Sequence, residues 1–350
     1  MFRYVLIVFL GFIVFSCRNS GEASTKAKLA TEGKQAKMAG APKREEARTL
    51  VYRNLGSDNS RMVWVSTGQF EMGANRFSDT QPVENMSDTG FWMDTHEVTN
   101  AQFSLFVEAT GYQTLAERNL DPGKYPTVSL DRLVPGSLVF RPEQVKLNPS
   151  EPQKWWGFLA GANWRHPEGK GSTIQDRMDH PVRHMAYQDA LAYATWAGKR
   201  LPREAEWAYA ARAGKHDSPF YWGQDLNVGE QWQANTYQGD FPLHNNAADG
   251  FVNTAPVQSF PVNTFGIYDL VGNVSEWCVE DYRNSYDENT LPQDNKFGVE
   301  SFGILRGGSY LSNEAFEKEQ LAGRTEQGRI RHAREDWGFR CVSDEAGPGR

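Results

Sequence analysis

The sequence predicts an α+β domain in which loops outnumber helices and strands, and three observations lead to this prediction. The chain contains 32 Gly, which favour turns, and 31 large aromatic residues of two types, 20 Phe and 11 Trp, which can pin loops to a core. The alternating apolar runs are short, as expected for brief strands. Only a few segments have the 3.6-residue period of a helix. At 350 residues the chain is long enough to bury a substantial core.

The first part of the domain is predicted to form strands followed by one helix. Three short apolar runs are typical of strands: residues 62–65, 69–73 and 91–94. After them, either Thr99 or Asn100 is suited to cap a helix. Phe103, Phe106 and Val107 would form its apolar stripe, so this helix is expected to pack against the core.

Two more helices are predicted in the middle of the chain. The first covers residues 187–200, where Gly198 is suited to the carboxyl end. The second begins near Pro202, as helices often do, and ends at Gly214. The acidic residues Glu204 and Glu206 would lie in its first turn, where negative charge is favourable. These charged residues are therefore explained by helix structure, without catalysis.

The segment between the first helix and these two helices gives weaker signals. Residues 115–154 contain several Pro and no clear period, so they are predicted to be surface loop with short strands. Further on, His166 and His180 each precede Pro, which favours extended or turn backbone. Their spacing matches no compact zinc motif. A structural or groove-lining role is favoured over a metal or acid–base site.

The amino terminus has the pattern of an export signal. Residues 1–16 carry Arg3 followed by an apolar run that is short for a membrane span. The sequence Val-Phe-Ser-Cys at residues 14–17 resembles a bacterial lipobox, in which Cys17 would become the lipidated first residue of the mature protein. An ordinary secretory signal with an incidental Cys is the alternative. The lipobox predicts an exported protein, anchored by lipid in a bacterial cell envelope on the periplasmic side of a membrane or on the cell surface.

Composition also divides the chain into segments. Residues 17–57 are predicted to be the lipidated Cys and a flexible tether, because they contain few large apolar residues. The folded domain is expected at residues 58–344, followed by a tail at 345–350. The net charge of −7 and the pI near 5.6 argue against a nucleic-acid partner, which would require a basic face.

Several motifs of this chain resemble the formylglycine-generating enzyme family, the sulfatase-modifying factors. The motifs are WAGKRLPREAEWAYAARAG at residues 196–214, GANWRHPEG at 161–169, GGSY at 307–310 and GFRC at 338–341. The resemblance covers about residues 58–344. It implies the formylglycine-generating-enzyme fold, which is related to the C-type-lectin-like superfamily and forms a single compact domain with little regular secondary structure. It also implies an oxidation in which two Cys after GGSY bind Cu(I) and a substrate Cys becomes formylglycine.

The two sulfurs that this chemistry requires are replaced. The positions that match the family's copper-binding Cys are Ser312 and Glu317. Cuprous ion prefers thiolates, whereas a hydroxyl and a carboxylate are poor ligands for it, so copper is not expected. Ser275 stands where active members commonly have an aromatic residue. The sequence therefore identifies no certain catalytic residue; Ser309 and Cys278 are candidates, and Ser309, Ser312 and Arg324 are predicted to line a substrate groove.

The resemblance also implies two calcium sites. The first would use the side chains of Asn235 and Asp249 and the carbonyl groups of Thr236 and Phe251. The second would use the carboxylates of two residues and the carbonyls of two others: Asp269, Glu276, Gly272 and Val274. Oxygen ligands that converge around a Gly-containing turn suit Ca²⁺. Calcium is therefore the expected cofactor.

The Cys content leaves the disulfide question open. Many family members pair the GFRC cysteine with a Cys in the preceding helix, where this chain has Ala194. A bridge between Cys278 and Cys341 is possible, but sequence alone does not decide it.

Three functional hypotheses follow. The first is a non-catalytic or altered paralogue, acting as a calcium-supported binding or accessory module for a protein or peptide partner, with a sulfatase as one candidate. The second is an active formylglycine-generating enzyme, which would need Cys278 or Cys341 as its working sulfur. The third is a structural envelope lipoprotein of a gliding or secretion machine.

Overall fold

A computed structural model describes residues 49–70, 84–85, 90–119, 121–124, 129–130, 133–148, 150–213, 220–279, 302–313 and 326–348. The predicted signal peptide, Cys17, Glu317 and Arg324 lie outside these residues. The longest helix in the described ranges has 11 residues, and none of the described helices could cross a lipid bilayer.

Short strands and a few helices alternate with long connections in the described part of the chain. The helices are α1 (Asn100–Thr110), α2 (Pro142–Leu147), α3 (Tyr187–Trp196) and α4 (Glu204–Arg212). The strands are β1 (Tyr52–Leu55), β2 (Ser60–Val65), β3 (Gln69–Phe70), β4 (Glu84–Asn85), β5 (Phe91–Asp94), β6 (Gly136–Phe140), β7 (Trp156–Ala160), β8 (Asn227–Val228), β9 (Gln231–Trp232), β10 (Gly239–Asp240), β11 (His244–Asn245), β12 (Ser275–Cys278), β13 (Phe302–Arg306), β14 (Glu326–Arg329), β15 (Trp337–Gly338) and β16 (Val342–Ser343).

Two four-stranded sheets form the framework. The first has the order β1-β2-β5-β16, and all its neighbouring strands are antiparallel. In its register Val63 lies opposite Met93, which lies opposite Val342, so three buried apolar side chains cross the sheet in one line. The second sheet has the order β14-β13-β12-β15, in which only β12 and β15 are parallel. Each of the four strands of this second sheet contributes at least one residue to the cleft described below.

Helix α1 forms where the sequence predicts it. The Thr99 hydroxyl accepts the backbone N–H of Gln102 at 3.2 Å, and the Gln102 side chain accepts the Thr99 N–H at 2.8 Å. This reciprocal pair satisfies two N–H groups that the first turn leaves free. Phe103 is completely buried and its ring stacks on Tyr193 of α3 at a centroid distance of 5.8 Å. Local capping and the apolar stripe together place α1 against α3.

The other helices are shorter than predicted. Helix α3 ends at Trp196 rather than at residue 200, because the backbone leaves the helix at Gly198, which has a φ of 70°. Helix α4 begins at Glu204, two residues after Pro202, and the Arg203 N–H donates to the Glu206 carboxylate at 2.9 Å. The segment 115–154, predicted as loop with short strands, contains the strand β6 and also the helix α2.

The folded region extends beyond the predicted boundaries at both ends. Strand β1 lies within the residues assigned to the tether and pairs with β2. Its following turn contains Asp58, which forms a buried ion pair of 2.8 Å with Lys199. At the other end, the Trp92 indole N–H donates to the carbonyl of Ala346 at 3.4 Å, within the predicted tail. The packed domain therefore begins before residue 58 and continues past residue 344.

Candidate functional site

A cleft of about 650 Å³ lies between the β6–β7 hairpin and the second sheet. Aromatic, hydroxyl and charged side chains line it together: Leu138, Phe140, Pro152, Trp155, Trp156, Phe241, Ser275, Phe302, Ser309, Leu311, Ser312, Glu326, Gln327, Arg329, His332, Arg334, Asp336 and Trp337. The predicted groove residues Ser309 and Ser312 are both in this set. The cleft is therefore the candidate functional site.

The floor of the cleft is the turn that follows β13. Gly307 and Gly308 have φ values of 92° and 68°, which residues with a Cβ rarely adopt, so the turn requires both glycines. Beyond them, the Ser312 Oγ accepts the backbone N–H of Ser309 at 3.0 Å, and the Ser309 Oγ accepts the N–H of Leu311 at 3.2 Å. Both serines are almost completely buried. Their hydroxyl groups thus hold the turn in one conformation.

A charged network continues from the turn across the floor. The Ser309 hydroxyl donates to the Asp336 carboxylate at 2.9 Å. The Arg334 guanidinium binds the two oxygens of Asp336 through Nε at 2.6 Å and Nη2 at 3.1 Å, and it contacts Glu326 at 2.7 Å. Burial raises the pKa of Glu326, and the charge of Arg334 opposes that increase. One cation therefore holds two carboxylates beneath the cleft.

Two tryptophan rings enclose the same guanidinium. The central carbon of Arg334 lies 4.0 Å from the ring centroid of Trp156 and 4.4 Å from that of Trp337. Both distances are within the range of a cation–π contact. Because Trp156 belongs to β7 and Trp337 to β15, Arg334 joins the hairpin to the second sheet. This contact fixes the width of the cleft.

The GANWRHPEG segment supports the turn from behind. Glu168 forms ion pairs with Arg177, at 2.7 Å, and with Arg183, and Arg183 also donates to the Tyr310 hydroxyl at 3.1 Å. Burial raises the pKa of Glu168, but its hydrogen bond to Arg177 and the charge of Arg183 outweigh burial and lower that pKa to about 2. The segment thus anchors the tyrosine of the GGSY turn.

The histidines of that region do not line the cleft. A ring nitrogen of His166 lies 2.6 Å from the Ser172 carbonyl oxygen, and one of His180 lies 3.1 Å from the Thr254 hydroxyl. Within the described ranges, no three His, Cys, Asp or Glu side chains are grouped so that they could bind a metal ion. These contacts favour the structural alternative for both histidines.

The described part of the cleft does not fit cuprous ion. Its lining contains the Ser312 hydroxyl and no thiol, and Glu317 lies outside the described residues. Cys278 and Cys341 are free rather than bridged, and both are buried in the apolar core. Burial raises the pKa of the Cys278 thiol well above its usual value, so it is a poor source of thiolate. Neither of these two cysteines is among the described residues that line the cleft.

The first predicted calcium loop has one feature that fits a cation. The amide nitrogen of Asn235 donates to the carbonyl of Asn253 at 3.0 Å and to the Asn273 side chain at 3.2 Å. Its buried oxygen has no hydrogen-bond partner among the described residues. The Asp249 carboxylate nearby on the chain is held by the N–H groups of Thr236 and Phe251, each at 3.0 Å. An oxygen left without a donor would suit Ca²⁺.

The second predicted loop is arranged differently from the expectation. Arg340 binds the Glu276 carboxylate through two nitrogens, each at 2.7 Å, and the Trp207 indole donates to it at 2.8 Å. Glu276 is therefore part of a buried ion pair in the structure. Asp269 accepts the N–H of Gln258 at 2.6 Å, and burial raises its pKa to about 6.

Glu97 is a further buried acid near this loop, which sequence reasoning assigned no chemistry. Neither of its carboxylate oxygens has a hydrogen-bond partner among the described residues. Burial, and then repulsion from Asp269, raise the pKa of Glu97 well above its usual value. The charge of Arg340 opposes the increase in the pKa of both Glu97 and Asp269.

The two loops contact each other and the cleft. The Asn273 N–H donates to the Asn235 carbonyl at 2.9 Å, and a Cβ on Gly272 would lie 2.0 Å from that oxygen. Only glycine fits there. The Tyr310 N–H then donates to the Asn273 carbonyl at 3.0 Å, and the Tyr237 N–H to the Ser312 carbonyl at 2.9 Å. The predicted calcium loops therefore support the floor of the cleft directly.

Sequence reasoning missed Arg334, Asp336 and Glu326, which form the central network. The available signal was the charge-rich run at residues 324–336, which ends shortly before GFRC. The sequence also contains a sign that Trp156 matters, because it lies next to Trp155 in an otherwise polar segment. Nothing in the sequence paired that ring with Arg334.

Comparison with known proteins identifies the family. The family model described as "Sulfatase-modifying factor enzyme 1-like domain" matches residues 48–345. The formylglycine-generating enzyme of Mycobacterium tuberculosis is 41% identical over 298 residues, which cover 81% of this chain and 98% of the relative. The "Inactive C-alpha-formylglycine-generating enzyme 2" of Bos taurus is 32% identical over 299 residues, which cover 82% of this chain and 89% of the relative.

A solved structure agrees with this result at the level of the fold. PvdO from Pseudomonas aeruginosa superposes with a TM-score of 0.54 at 22% identity, over 85% of this chain and 99% of that one. The extent of the family match and the identity to its enzymes lead to one conclusion. The chain belongs to the family of the sulfatase-modifying factor enzyme 1-like domain, the formylglycine-generating enzymes and their relatives.

Proposed function

We propose that this protein is a non-oxidising member of its family, a calcium-supported binding or accessory module that uses the cleft without copper. One observation carries the proposal. At the floor of the cleft the side chain of Ser312 is a hydroxyl, committed to the N–H of Ser309 at 3.0 Å, where the family's chemistry would need a thiolate.

The network around Ser312 supports the same proposal. The Arg334 guanidinium and the carboxylates of Asp336 and Glu326 fill the floor with charges that compensate one another. Carboxylates are hard ligands and a guanidinium is itself a cation, so these groups do not favour a soft monovalent metal ion. A floor cross-linked by these ion pairs is instead suited to hold a binding surface rigid.

The calcium part of the proposal is supported by the unpaired oxygens near both loops. Asn235 Oδ1 and the Glu97 carboxylate are buried without hydrogen-bond partners in the described part of the chain. Buried polar groups without partners are costly, and a bound cation would remove that cost. In the first loop, Asn235 and Asp249 would hold the ion and Ca²⁺ would add positive charge there. The second loop supports the proposal less, because Glu276 is bound to Arg340.

Export and the partner are further parts of the proposal. The apolar segment 1–16 and Cys17 support an exported lipoprotein of a bacterial cell envelope. The family supports a protein partner, with a sulfatase as one candidate, since it is named for modifying sulfatases.

The alternative is an active formylglycine-generating enzyme, and the 41% identity to the enzyme of M. tuberculosis favours it. Relatives named as inactive occur at 32% identity, so family membership does not decide the activity. The alternative needs a thiolate in the cleft. Cys278 or Cys341 would have to supply it, but these thiols are 1% and 0% exposed, and neither is among the described residues that line the cleft.

An oxidation assay tests the proposal. The full chain with Cys17→Ser is incubated with copper, oxygen, a thiol reductant and a peptide that contains the sulfatase motif C-x-P-S-R. The mass of the peptide is expected to stay unchanged, while the enzyme of M. tuberculosis, run in parallel, produces the aldehyde. Formation of formylglycine by this chain would overturn the proposal.

A further inference from the structure

A lysine lies in the core of the domain against two aspartates. The side chains of Lys199 and Asp58 are completely buried, and that of Asp94 is 3% exposed. Lysine is seldom fully buried unless it is paired, and charges kept from water are costly to hold. None of the three residues lines the cleft, so the proposed function gives them no role.

The lysine nitrogen lies close enough to an aspartate to react with it. Nζ of Lys199 is 2.8 Å from Oδ1 and 2.9 Å from Oδ2 of Asp58, and 3.1 Å from Oδ1 of Asp94. Contact with both oxygens of Asp58 puts the nitrogen opposite the carboxyl carbon that joins them. The two atoms are thus within the roughly 3 to 3.5 Å of a near-attack arrangement.

The backbone holds both partners in this position. Gly56 has a φ of 78°, and a Cβ on it would lie 2.5 Å from Cε of Lys199, so only glycine fits beside the lysine stem. The Ser57 N–H donates to the carbonyl of Ala197 at 3.0 Å, just after α3. The turn that carries Asp58 is therefore fixed against the lysine.

Hydrogen bonds orient the two carboxyl groups. The Tyr193 hydroxyl donates to Oδ2 of Asp58 at 2.7 Å, and burial raises the pKa of Tyr193, so the donor stays protonated. Asp94 accepts the Ser60 hydroxyl on Oδ1 at 2.6 Å and the Cys341 N–H on Oδ2 at 2.9 Å. Asp94 is thus held with Oδ1 facing the lysine nitrogen.

We propose that Lys199 and Asp58 are joined by an isopeptide bond, formed by condensation of the two side chains with Asp94 as the residue that transfers the proton. An amine, a carboxyl group and a second acid are brought together where water is excluded. The amide replaces a buried ion pair and so removes two buried charges. Asp94 then keeps the donors Ser60 and Cys341 and gains the new amide N–H.

The condensation balances without an oxidant or a reductant. Burial lowers the pKa of Lys199, but the charges of Asp94 and Asp58 outweigh burial and raise it, so the reaction begins from the ion pair. One ammonium proton passes to Oδ1 of Asp58, and the neutral Nζ attacks the carboxyl carbon. Asp94 takes a second proton from the nitrogen and delivers it to Oδ1. The C–N bond forms, the C–Oδ1 bond breaks and Oδ1 leaves as water, while Tyr193 stabilises the charge that develops on Oδ2.

The bond would link two positions that are 141 residues apart in the chain. A cross-link of this kind stabilises a protein mainly by restricting its unfolded chain. The predicted tether enters the domain at β1, directly before Asp58. The bond would therefore fix the part of the domain that is nearest to the proposed lipid anchor.

The test is mass spectrometry of the denatured full chain with Cys17→Ser. The intact mass is expected to lie about 18 Da, one water, below that of the purified sequence. Trypsin should release a branched peptide that joins residues 54–61 to residues 184–200, because it cannot cleave after the modified Lys199. An ion pair would separate in denaturant and leave the full mass.

Variants assign the residues. Lys199→Arg and Asp94→Asn are expected to have the full mass of their sequences, and circular dichroism checks that each is folded. Lys154→Arg is the matched control, because the Lys154 side chain is 52% exposed, and it should keep the mass deficit. If the two core variants do not fold, the mass of the parent chain decides the question alone.

The full mass in the folded parent chain would overturn the inference. A deficit of the same size confined to the peptide 54–61 would also overturn it, because that result indicates a succinimide at Asp58. Retention of the branched peptide in a folded Asp94→Asn chain would contradict the role of Asp94. These outcomes are independent of the oxidation assay, which alone tests the proposed function.

Discussion

The guanidinium carbon of Arg334 lies 4.0 Å from the ring centroid of Trp156, although the two residues are 178 positions apart in the chain. The same guanidinium binds Asp336, which in turn accepts the hydroxyl of Ser309. One side chain thus connects a wall of the cleft to its floor. The position of Trp156 and the conformation of the turn at Ser309 are consequently coupled through Arg334.

Replacing Arg334 with Ala is expected to destabilise the domain. The substitution leaves two largely buried carboxylates, Asp336 and Glu326, without this cation, which typically costs about 3 to 5 kcal/mol. Urea unfolding followed by circular dichroism measures the change. Arg334→Lys keeps the charge but loses the paired hydrogen bonds, so an intermediate loss is expected. The control is Lys146→Ala, an exposed residue on α2, and an equal loss in both Ala variants would contradict this role.

Removal of calcium is expected to lower the melting temperature, because a ligand that binds only the folded form stabilises it. At a calcium concentration about 100-fold above its Kd, the difference for a domain of this size is roughly 5–10 °C. Scanning calorimetry with and without a chelator measures it. Asn235→Ala should reduce the difference, whereas Asn227→Ala, on the exposed strand β8, should not. An identical melting temperature with and without chelator would show that calcium does not stabilise the domain.

The Glu168 carboxylate is expected to contribute to the loss of stability in acid. Its folded pKa of about 2 lies below the unfolded value of 4.5, so its contribution is present above pH 4.5 and declines as the pH falls toward 2. Glu168→Gln should therefore flatten the dependence of the urea midpoint on pH within that window. Because Glu168 is half-exposed, solvent screens its ion pairs and the effect is modest. Glu143→Gln serves as control, and an unchanged slope in Glu168→Gln would count against the pairs with Arg177 and Arg183.

The thiols of Cys278 and Cys341 are expected to be unreactive in the folded protein. Both are buried, and burial raises the pKa of each well above its usual value, so little thiolate forms at neutral pH. In a Cys17→Ser chain, Ellman's reagent should titrate two thiols in denaturant and none within minutes under native conditions. One fast-reacting native thiol would show a sulfur accessible to substrate, as the active-enzyme alternative requires.

The sequence was most informative where structure depends on neighbouring residues. The apolar stripe of α1 and a cap at either Thr99 or Asn100 follow from local pattern, and in the structure Thr99 is the cap. Helix ends were placed less well, because Gly198 stops α3 earlier than the apolar period suggests. The family motifs supplied the fold that composition alone left general.

Long-range pairing explains what could not be predicted. Glu276 is predicted to bind calcium within its own loop, and no local pattern indicates that Arg340, 64 residues later, also contacts its carboxylate. Ser309 and Ser312, predicted as groove residues, lie among the residues that line the cleft, whereas the network of Arg334 depends on strands that meet only in the folded sheet. Local pattern does not specify which charges will be brought together.

The most direct test of the central claim is a titration of the full chain, with Cys17→Ser, with Cu(I) in competition with a chromogenic chelator under anaerobic conditions. Oxygen ligands such as the Ser312 hydroxyl hold cuprous ion weakly, so we expect the chelator to retain all of the copper. Withdrawal of one equivalent of Cu(I) from the chelator by each protein molecule would contradict the account.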